Sequence, residues 1–179
     1  MSGIQELDLE HLTSKIILVT GASRGIGRAI AEKLLNLGNI VIGTSRRVES
    51  LSGLSTAFEK TFYPFELGLN NPESVSALAK TVGGTFGKLD VLINNAGTLG
   101  EIGPLENCSF DTWNDVLNIN LNNQFLLVKS LPPYLKSSTR GSIINLSSTV
   151  GREPRADWGA YAVSKAAIEA MSTILAQEL

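Results

Sequence analysis

The chain has 179 residues, enough for one domain with a proper buried core. Its 43% hydrophobic and 18% charged residues describe a folded globule and exclude a disordered segment. A net charge of −2 gives no bulk attraction to nucleic acid or anionic membranes, and the single cysteine, Cys108, excludes an internal disulfide framework.

A reducing compartment, the cytoplasm, is therefore expected. Glu6, Asp8 and Glu10 stand where a secretory leader needs a basic start and an apolar run, so no signal peptide is expected. No apolar stretch approaches the length of a membrane span. Cys108 reads as an ordinary residue, and no metal site is expected.

Lys15–Thr20 is a short apolar run ending at glycine, which predicts a strand buried in a parallel sheet. Apolar residues at helical spacing predict a helix from Gly25 to Leu37, stopped by Gly38. Ile40–Thr44 predicts a second strand, Val48–Phe58 a helix, and Thr61–Phe65 a third strand. Pro72 opens a helix expected to run to about Val82, since proline is tolerated in a first turn. Leu89–Ile93 predicts the fourth strand, ending in Asn94, Asn95, Ala96 and Gly97. A looser segment around Gly100, Gly103 and Pro104 precedes one long helix expected from Phe110 to Lys136, its end distorted by Pro132 and Pro133. Gly141–Leu146 predicts a fifth strand, and Tyr161 begins a last helix. Strands alternating with helices imply an α/β fold, a doubly wound parallel sheet with helices on both faces.

Thr20–Gly27 reads T-G-A-S-R-G-I-G at the junction of the first strand and first helix. Its glycines, Gly21, Gly25 and Gly27, have three physical tasks: a tight turn, close approach of backbone to a pyrophosphate, and packing of helix on strand. The helix N-terminus adds free N–H groups and a partial positive charge. The spacing G-x-x-x-G-x-G differs from the commoner G-x-G-x-x-G, and the missing Gly-Lys-Ser/Thr argues against a triphosphate site. NAD sites place a carboxylate at the end of the second strand to bond the ribose 2′-hydroxyl. Here the chain reads Thr44-Ser45-Arg46-Arg47. Arg46 is suited to a 2′-phosphate, and Arg24 approaches the same group with its fork of donors, so NADP is expected over NAD. Arg47 reads as a solvated residue.

Tyr161 and Lys165 stand four residues apart and share one helix face. Tyrosine is a poor proton donor and acceptor near neutrality, and an adjacent ammonium favours its phenolate form. The pair alone is a common surface spacing. With Gly21, Gly25 and Gly27, the run Asn94–Gly97, Asn120, and Ser148 thirteen positions before Tyr161, the sequence closely resembles the short-chain dehydrogenase/reductase family, over nearly the whole chain from Lys15.

That resemblance implies a Rossmann fold of strand order 3-2-1-4-5 and a hydride-transferring oxidoreductase acting on a small carbonyl or alcohol. It implies Tyr161 as general acid and base, Lys165 as the group that tunes it and bonds the nicotinamide ribose, and Ser148 as the holder of the substrate oxygen. Asn120 would anchor a water passing protons to Lys165. Cofactor contacts are implied for Ser23, Ile26, Ser45, Leu67, Asn94, Ala96 and Gly97, beside the arginines and glycines above and Tyr161 and Lys165. Glu66-Leu67 departs from the family's acidic Asp and small apolar residue after the third strand.

Residues 1–14 are expected to form an N-terminal extension and 15–179 a single dinucleotide-binding and catalytic domain. The family's later strands and substrate-covering segment have no counterpart before Leu179, so a truncated member is expected. Hence an alternative reading is a catalytically silent dinucleotide-binding or dimerisation module. The helices carrying Asn120 and Tyr161 are the expected interface of a homodimer or homotetramer. The loop Gly151–Arg155 also resembles bacterial acyl-carrier-protein ketoreductases, although Arg152 and Arg155 read as solvated charges.

Overall fold

The structure, a computed structural model, describes residues 13–68 and 71–179. The expected N-terminal extension falls, as far as residue 12, outside the described residues. Strand β1 (Ile16–Val19) leads into helix α1 (Gly25–Asn36), β2 (Ile40–Ser45), a 3₁₀ turn (Val48–Leu51) continuing into α2 (Ser52–Ala57), and β3 (Phe62–Glu66). Then follow α3 (Pro72–Phe86), β4 (Val91–Asn94), α4 (Phe110–Leu117), α5 (Asn123–Ser130), α6 (Pro132–Lys136), β5 (Ser142–Asn145), α7 (Thr149–Arg152) and α8 (Gly159–Glu178).

The five strands form one parallel sheet in the order β3-β2-β1-β4-β5, as the family resemblance implies. Pleating sends alternate residues of β1 to opposite faces. Ile16 and Leu18 join Val75, Leu78 and Val82 of α3 and Leu127 of α5 in one core. Ile17 and Val19 join Ala31 and Leu35 of α1 and Leu54 of α2 in the other. With both faces covered, β1 is buried throughout, whereas β5, at the sheet's edge, is buried nowhere along its length.

Polar groups fix where the elements begin. Asn71 caps α3 through its Oδ1, which accepts from the N–H groups of Glu73 and Ser74, with Pro72 in the first turn. That helix runs past Val82 to Phe86, because Gly83 and Gly84 stay helical and the stop comes at Gly87, whose φ of 69° is left-handed. At the foot of β4 the buried Asp90 accepts from the N–H of Ile16 (2.8 Å) and the hydroxyl of Ser138 (2.5 Å), and pairs with Lys88 (3.2 Å). Burial alone would raise its carboxyl, but the hydrogen bonds from Ser138, Ile16 and Lys88 outweigh it and hold the group below the usual carboxylate range.

The single long helix expected over Phe110–Lys136 is instead three helices. Between α4 and α5 the chain widens into a π turn, Asn118–Asn122. Asparagine side chains compete there for the backbone: Asn123 Nδ2 donates to the Asn118 carbonyl, and Asn122 Nδ2 to Asn118 Oδ1 at 2.7 Å. Further on, Pro132 cannot donate into the preceding turn, so it opens α6 at an N-terminal position. Helix α8 begins at Gly159 rather than Tyr161, and α7 is too short to show a hydrophobic period.

Candidate active site

In a sheet of this order, the strands on either side of β1 belong to different halves of the winding, and a crevice opens at the carboxyl ends of β1 and β4. A cleft of about 640 Å³ lies there. Gly21, with φ of 69°, turns the chain out of β1 across it. A Cβ on Gly27 would collide with the Gly21 carbonyl and with Asn95 Nδ2, so α1 rests on that turn as only glycine allows. Gly25 faces the other way: a Cβ there would meet nothing within 4 Å. No side chain caps α1, whose N-cap is Arg24, and its first N–H groups are left for an anion.

The turn is knotted to β4 by Thr20 and Asn95. Thr20 Oγ1 accepts from the N–H groups of Asn95 and Ala96, each at 3.0 Å. Asn95 Nδ2 donates back to the carbonyl of Thr20 at 2.8 Å. Ser23, Ile26, Ser45, Leu67, Ala96 and Gly97 line the same cleft. Asn94 does not. It is fully buried behind the cleft, donating to Asn145 Oδ1 at 2.8 Å, and Asn95 takes the place beside the glycine turn.

Arg24 and Arg46 both line the cleft, both are exposed, and neither guanidinium has a hydrogen-bond or ion-pair partner among the described residues. Among the described residues no carboxylate lines it, and Arg47 lies outside it. A glycine turn open to backbone approach, an uncapped helix N-terminus and two unpaired guanidiniums fit a dinucleotide carrying an extra phosphate.

The polar residues expected to act in catalysis adjoin the far end of this cleft. A Cβ at Gly97 would stand 3.1 Å from Asn120 Oδ1 and 3.8 Å from Lys165 Nζ, so both side chains converge on a cleft-lining glycine. Asn120, fully buried in the π turn, has protein partners for both ends of its side-chain amide. Its Oδ1 accepts from the N–H of Thr98 (2.8 Å), while Nδ2 donates to the Thr98 carbonyl (2.8 Å) and Ser164 Oγ (3.0 Å). Ser164 in turn donates to the carbonyl of Tyr161 at 2.7 Å.

Lys165 is 4% exposed and donates to the Leu146 carbonyl at 2.7 Å. Burial lowers the pKa of its ammonium from the ordinary lysine value. The same nitrogen sits 5.7 Å from the centre of the Tyr161 ring, which Trp158 flanks at 5.9 Å. Ser148 caps α7 through its backbone alone, its carbonyl accepting from Gly151 N–H at 3.0 Å. The hydroxyls of Ser148 and Tyr161, both half-buried, have no hydrogen-bond partner among the described residues.

Thr20, Thr98, Gln124 and Ser164 belong to this framework and were not picked out as candidates by the sequence reading. Gln124 is 2% exposed and donates to the Ala96 carbonyl at 3.4 Å. The available signal was a polar residue at a core-facing helical position, visible only once the helix faces are known.

The family model described as short chain dehydrogenase matches residues 15–179. The chain is 38% identical over 173 residues to the Escherichia coli (strain K12) oxidoreductase YciK, spanning 93% of this chain and 69% of that protein. It is 36% identical to the 3-oxoacyl-[acyl-carrier-protein] reductase FabG of Vibrio harveyi, over 94% of this chain and 69% of that one. Among solved structures it is similar to a short chain dehydrogenase of Shigella flexneri complexed with NADP. That match has a TM-score of 0.88 and 40% identity, and covers 93% of this chain and 73% of the other.

Proposed function

The chain belongs to the short-chain dehydrogenase family and is an NAD(P)H-dependent oxidoreductase; we propose that Tyr161 is its general acid and base, acting on a carbonyl or alcohol oxygen held by Ser148. The observation that carries this reading is the convergence of Asn120 and Lys165 on Gly97 at the cleft, with the Tyr161 ring beside the same ammonium. NADP is the cofactor: solved relatives hold NADP and NADPH, and Arg24 and Arg46 stand unpaired in a cleft without a carboxylate.

Gly21, Gly25 and the α1 N-terminus hold the pyrophosphate, Arg24, Ser45 and Arg46 the 2′-phosphate end, and Leu67, Ala96 and Gly97 the floor. When bound, NADPH supplies the hydride. Tyr161 gives its phenolic proton to the carbonyl oxygen during reduction and takes it back during oxidation. The adjacent ammonium of Lys165 stabilises the phenolate left behind. Ser148 donates to the oxygen as negative charge develops on it. Asn120, locked between Thr98 and Ser164, sets the spacing between the π turn and α8, on which Tyr161 and Lys165 ride.

Phe110 and Phe125 are 76% and 51% exposed on α4 and α5, and Val163 is 45% exposed on α8. These exposed apolar side chains, on the helices expected to form the interface, support a homodimer or homotetramer, and a cytoplasmic setting accords with the lone cysteine. Among the described residues no helix is long and apolar enough to cross a membrane.

The decisive experiment titrates the chain with NADPH and NADH, then follows nicotinamide absorbance with a panel of ketones, comparing Tyr161→Phe and Ser148→Ala. Turnover lost in both variants with NADPH binding kept is the expected result. Cofactor binding without turnover in the unsubstituted chain would sink the reading.

A further inference from the structure

Three side chains on one face of α8 hold three successive residues at the carboxyl end of β5. Ser172 Oγ accepts from Asn145 Nδ2 (2.8 Å), Lys165 Nζ donates to the Leu146 carbonyl (2.7 Å), and Glu169 Oε1 accepts from Ser147 Oγ (2.7 Å). Positions 165, 169 and 172 follow helical spacing, so the three form one stripe. The next residue along the strand exit is Ser148.

Glu169 does more than continue the stripe. Its two carboxylate oxygens also accept from Arg152 Nε, at 3.1 and 2.9 Å. Arg152 ends α7, the short helix whose N-cap is Ser148. One carboxylate therefore grips the residue before Ser148 and the residue four positions after it. The segment between is pinned to α8 at its middle, where Val150 is buried, and the clamp holds its two ends. Its internal backbone bonds run from Gly151 to the Ser148 carbonyl and from Glu153 to the Thr149 carbonyl. At Gly151 it touches α8 closely, where a Cβ would lie 2.9 Å from the Lys165 carbonyl carbon. The hydrogen bond from Ser147, then the Arg152 guanidinium, hold the Glu169 carboxyl below the usual carboxylate range, so both arms persist at neutral pH. An exposed ion pair contributes little to stability by itself. Bridging two points of one short segment, it fixes geometry instead.

We propose that Glu169 is a positioning residue for Ser148: by clamping Ser147 and Arg152 it sets the path of residues 147–152 and so aims the Ser148 hydroxyl at the substrate oxygen. The proposal rests on the role given to Ser148 above. Arg152 is a solvated charge, as expected, and in addition one arm of the clamp.

Two measurements on the full chain test it. Glu169→Gln weakens the clamp: only one acceptor oxygen is left, and the charge-assisted, two-oxygen grip on Arg152 is lost. Hydrogen exchange at the Gly151 and Glu153 amides is expected to rise by about tenfold or more, while β1 and β4 amides keep their rates. NADPH oxidation with ethyl acetoacetate as the probe ketone is then compared in a double-mutant cycle. Glu169→Gln is expected to lower kcat/KM by about tenfold with Ser148 present and to have no further effect in a Ser148→Ala background. Equal losses in both backgrounds, or unchanged exchange at Gly151 and Glu153, overturn the proposal. Full turnover in Ser148→Ala overturns the role of Ser148 itself, and the exchange rates tell that failure from failure of the clamp. Should Glu169→Gln not fold, Ser147→Ala removes the other arm at the surface and is read by the same two measurements.

Discussion

The ammonium of Lys165 donates to the carbonyl of Leu146 at 2.7 Å, which draws a buried charge against the end of β5 and beside the ring of Tyr161. A desolvated ammonium with one carbonyl partner is a poor choice for stability and a good one for stabilising a neighbouring phenolate. Lys165→Met is expected to lower turnover by about 10²- to 10⁴-fold, the range set by loss of acid–base function. Its thermal midpoint at neutral pH is expected to stay the same or rise, because the penalty on the charged form applies below the folded-state pKa and is relieved only as pH rises through it. Thermal unfolding and NADPH oxidation, measured on one preparation, separate the two effects; a midpoint well below the unsubstituted chain's would refute the account of the burial.

Arg46 gives the cofactor preference its sharpest test. A charge-assisted bond to a phosphate contributes roughly 1.5–3 kcal/mol, so Arg46→Ala should weaken NADPH binding by about ten- to a hundredfold. NADH, which has no 2′-phosphate, should bind both forms alike. Fluorescence titration with each nucleotide checks this, and an equal loss for both would place Arg46 elsewhere in the site.

Two glycine substitutions should act in opposite directions. Gly27→Ala drives a methyl into the Gly21 carbonyl and Asn95, so overpacking should cost about 1–3 kcal/mol and disrupt NADPH binding. At Gly84, inside α3, an added Cβ meets nothing within 4 Å. Gly84→Ala should stabilise by about 0.5–1 kcal/mol, since glycine is the costlier residue in a helix. Urea midpoints report both.

Asp90 makes the acid limb of stability its own. Because its carboxyl is held below the usual range, its contribution is complete above the unfolded-state pKa and is lost as pH falls through the folded-state value. Asp90→Asn should cost about 1–3 kcal/mol near neutral pH, leaving partners of Ile16 and Ser138 poorly matched. The substituted chain should also lose less stability on acidification than the original. Urea unfolding at a series of acidic pH values would show two parallel acid limbs if Asp90 were not responsible.

Much of this was legible in the sequence where one local rule decides. Ile16–Val19 is a strand because an apolar run ends in glycine, and the order Gly21, Asn120, Ser148, Tyr161, Lys165 carries the family's pattern through the chain. The π turn was not legible, because apolar periodicity continues across it while four asparagines at 118, 120, 122 and 123 quietly rearrange the backbone. Asn94 was placed at the cleft because its neighbour's side chain and its own are equivalent on paper; the pleat of β4 turns Asn94 inward and leaves Asn95 outside. The Glu169 clamp joins residues twenty-two and seventeen positions apart. No spacing rule reaches across such a separation before the sheet and α8 are brought together.

Asn95 and Thr20 tie the glycine turn to the end of β4 with three short hydrogen bonds made entirely within the protein. The turn proposed to hold the pyrophosphate is thus fixed by the protein's own bonds, which leaves little conformational entropy to lose on binding a dinucleotide. Association should accordingly resemble docking onto a finished surface more than folding around a guest. Affinity differences among nucleotides then belong to the guanidiniums at the rim and to how quickly a ligand leaves.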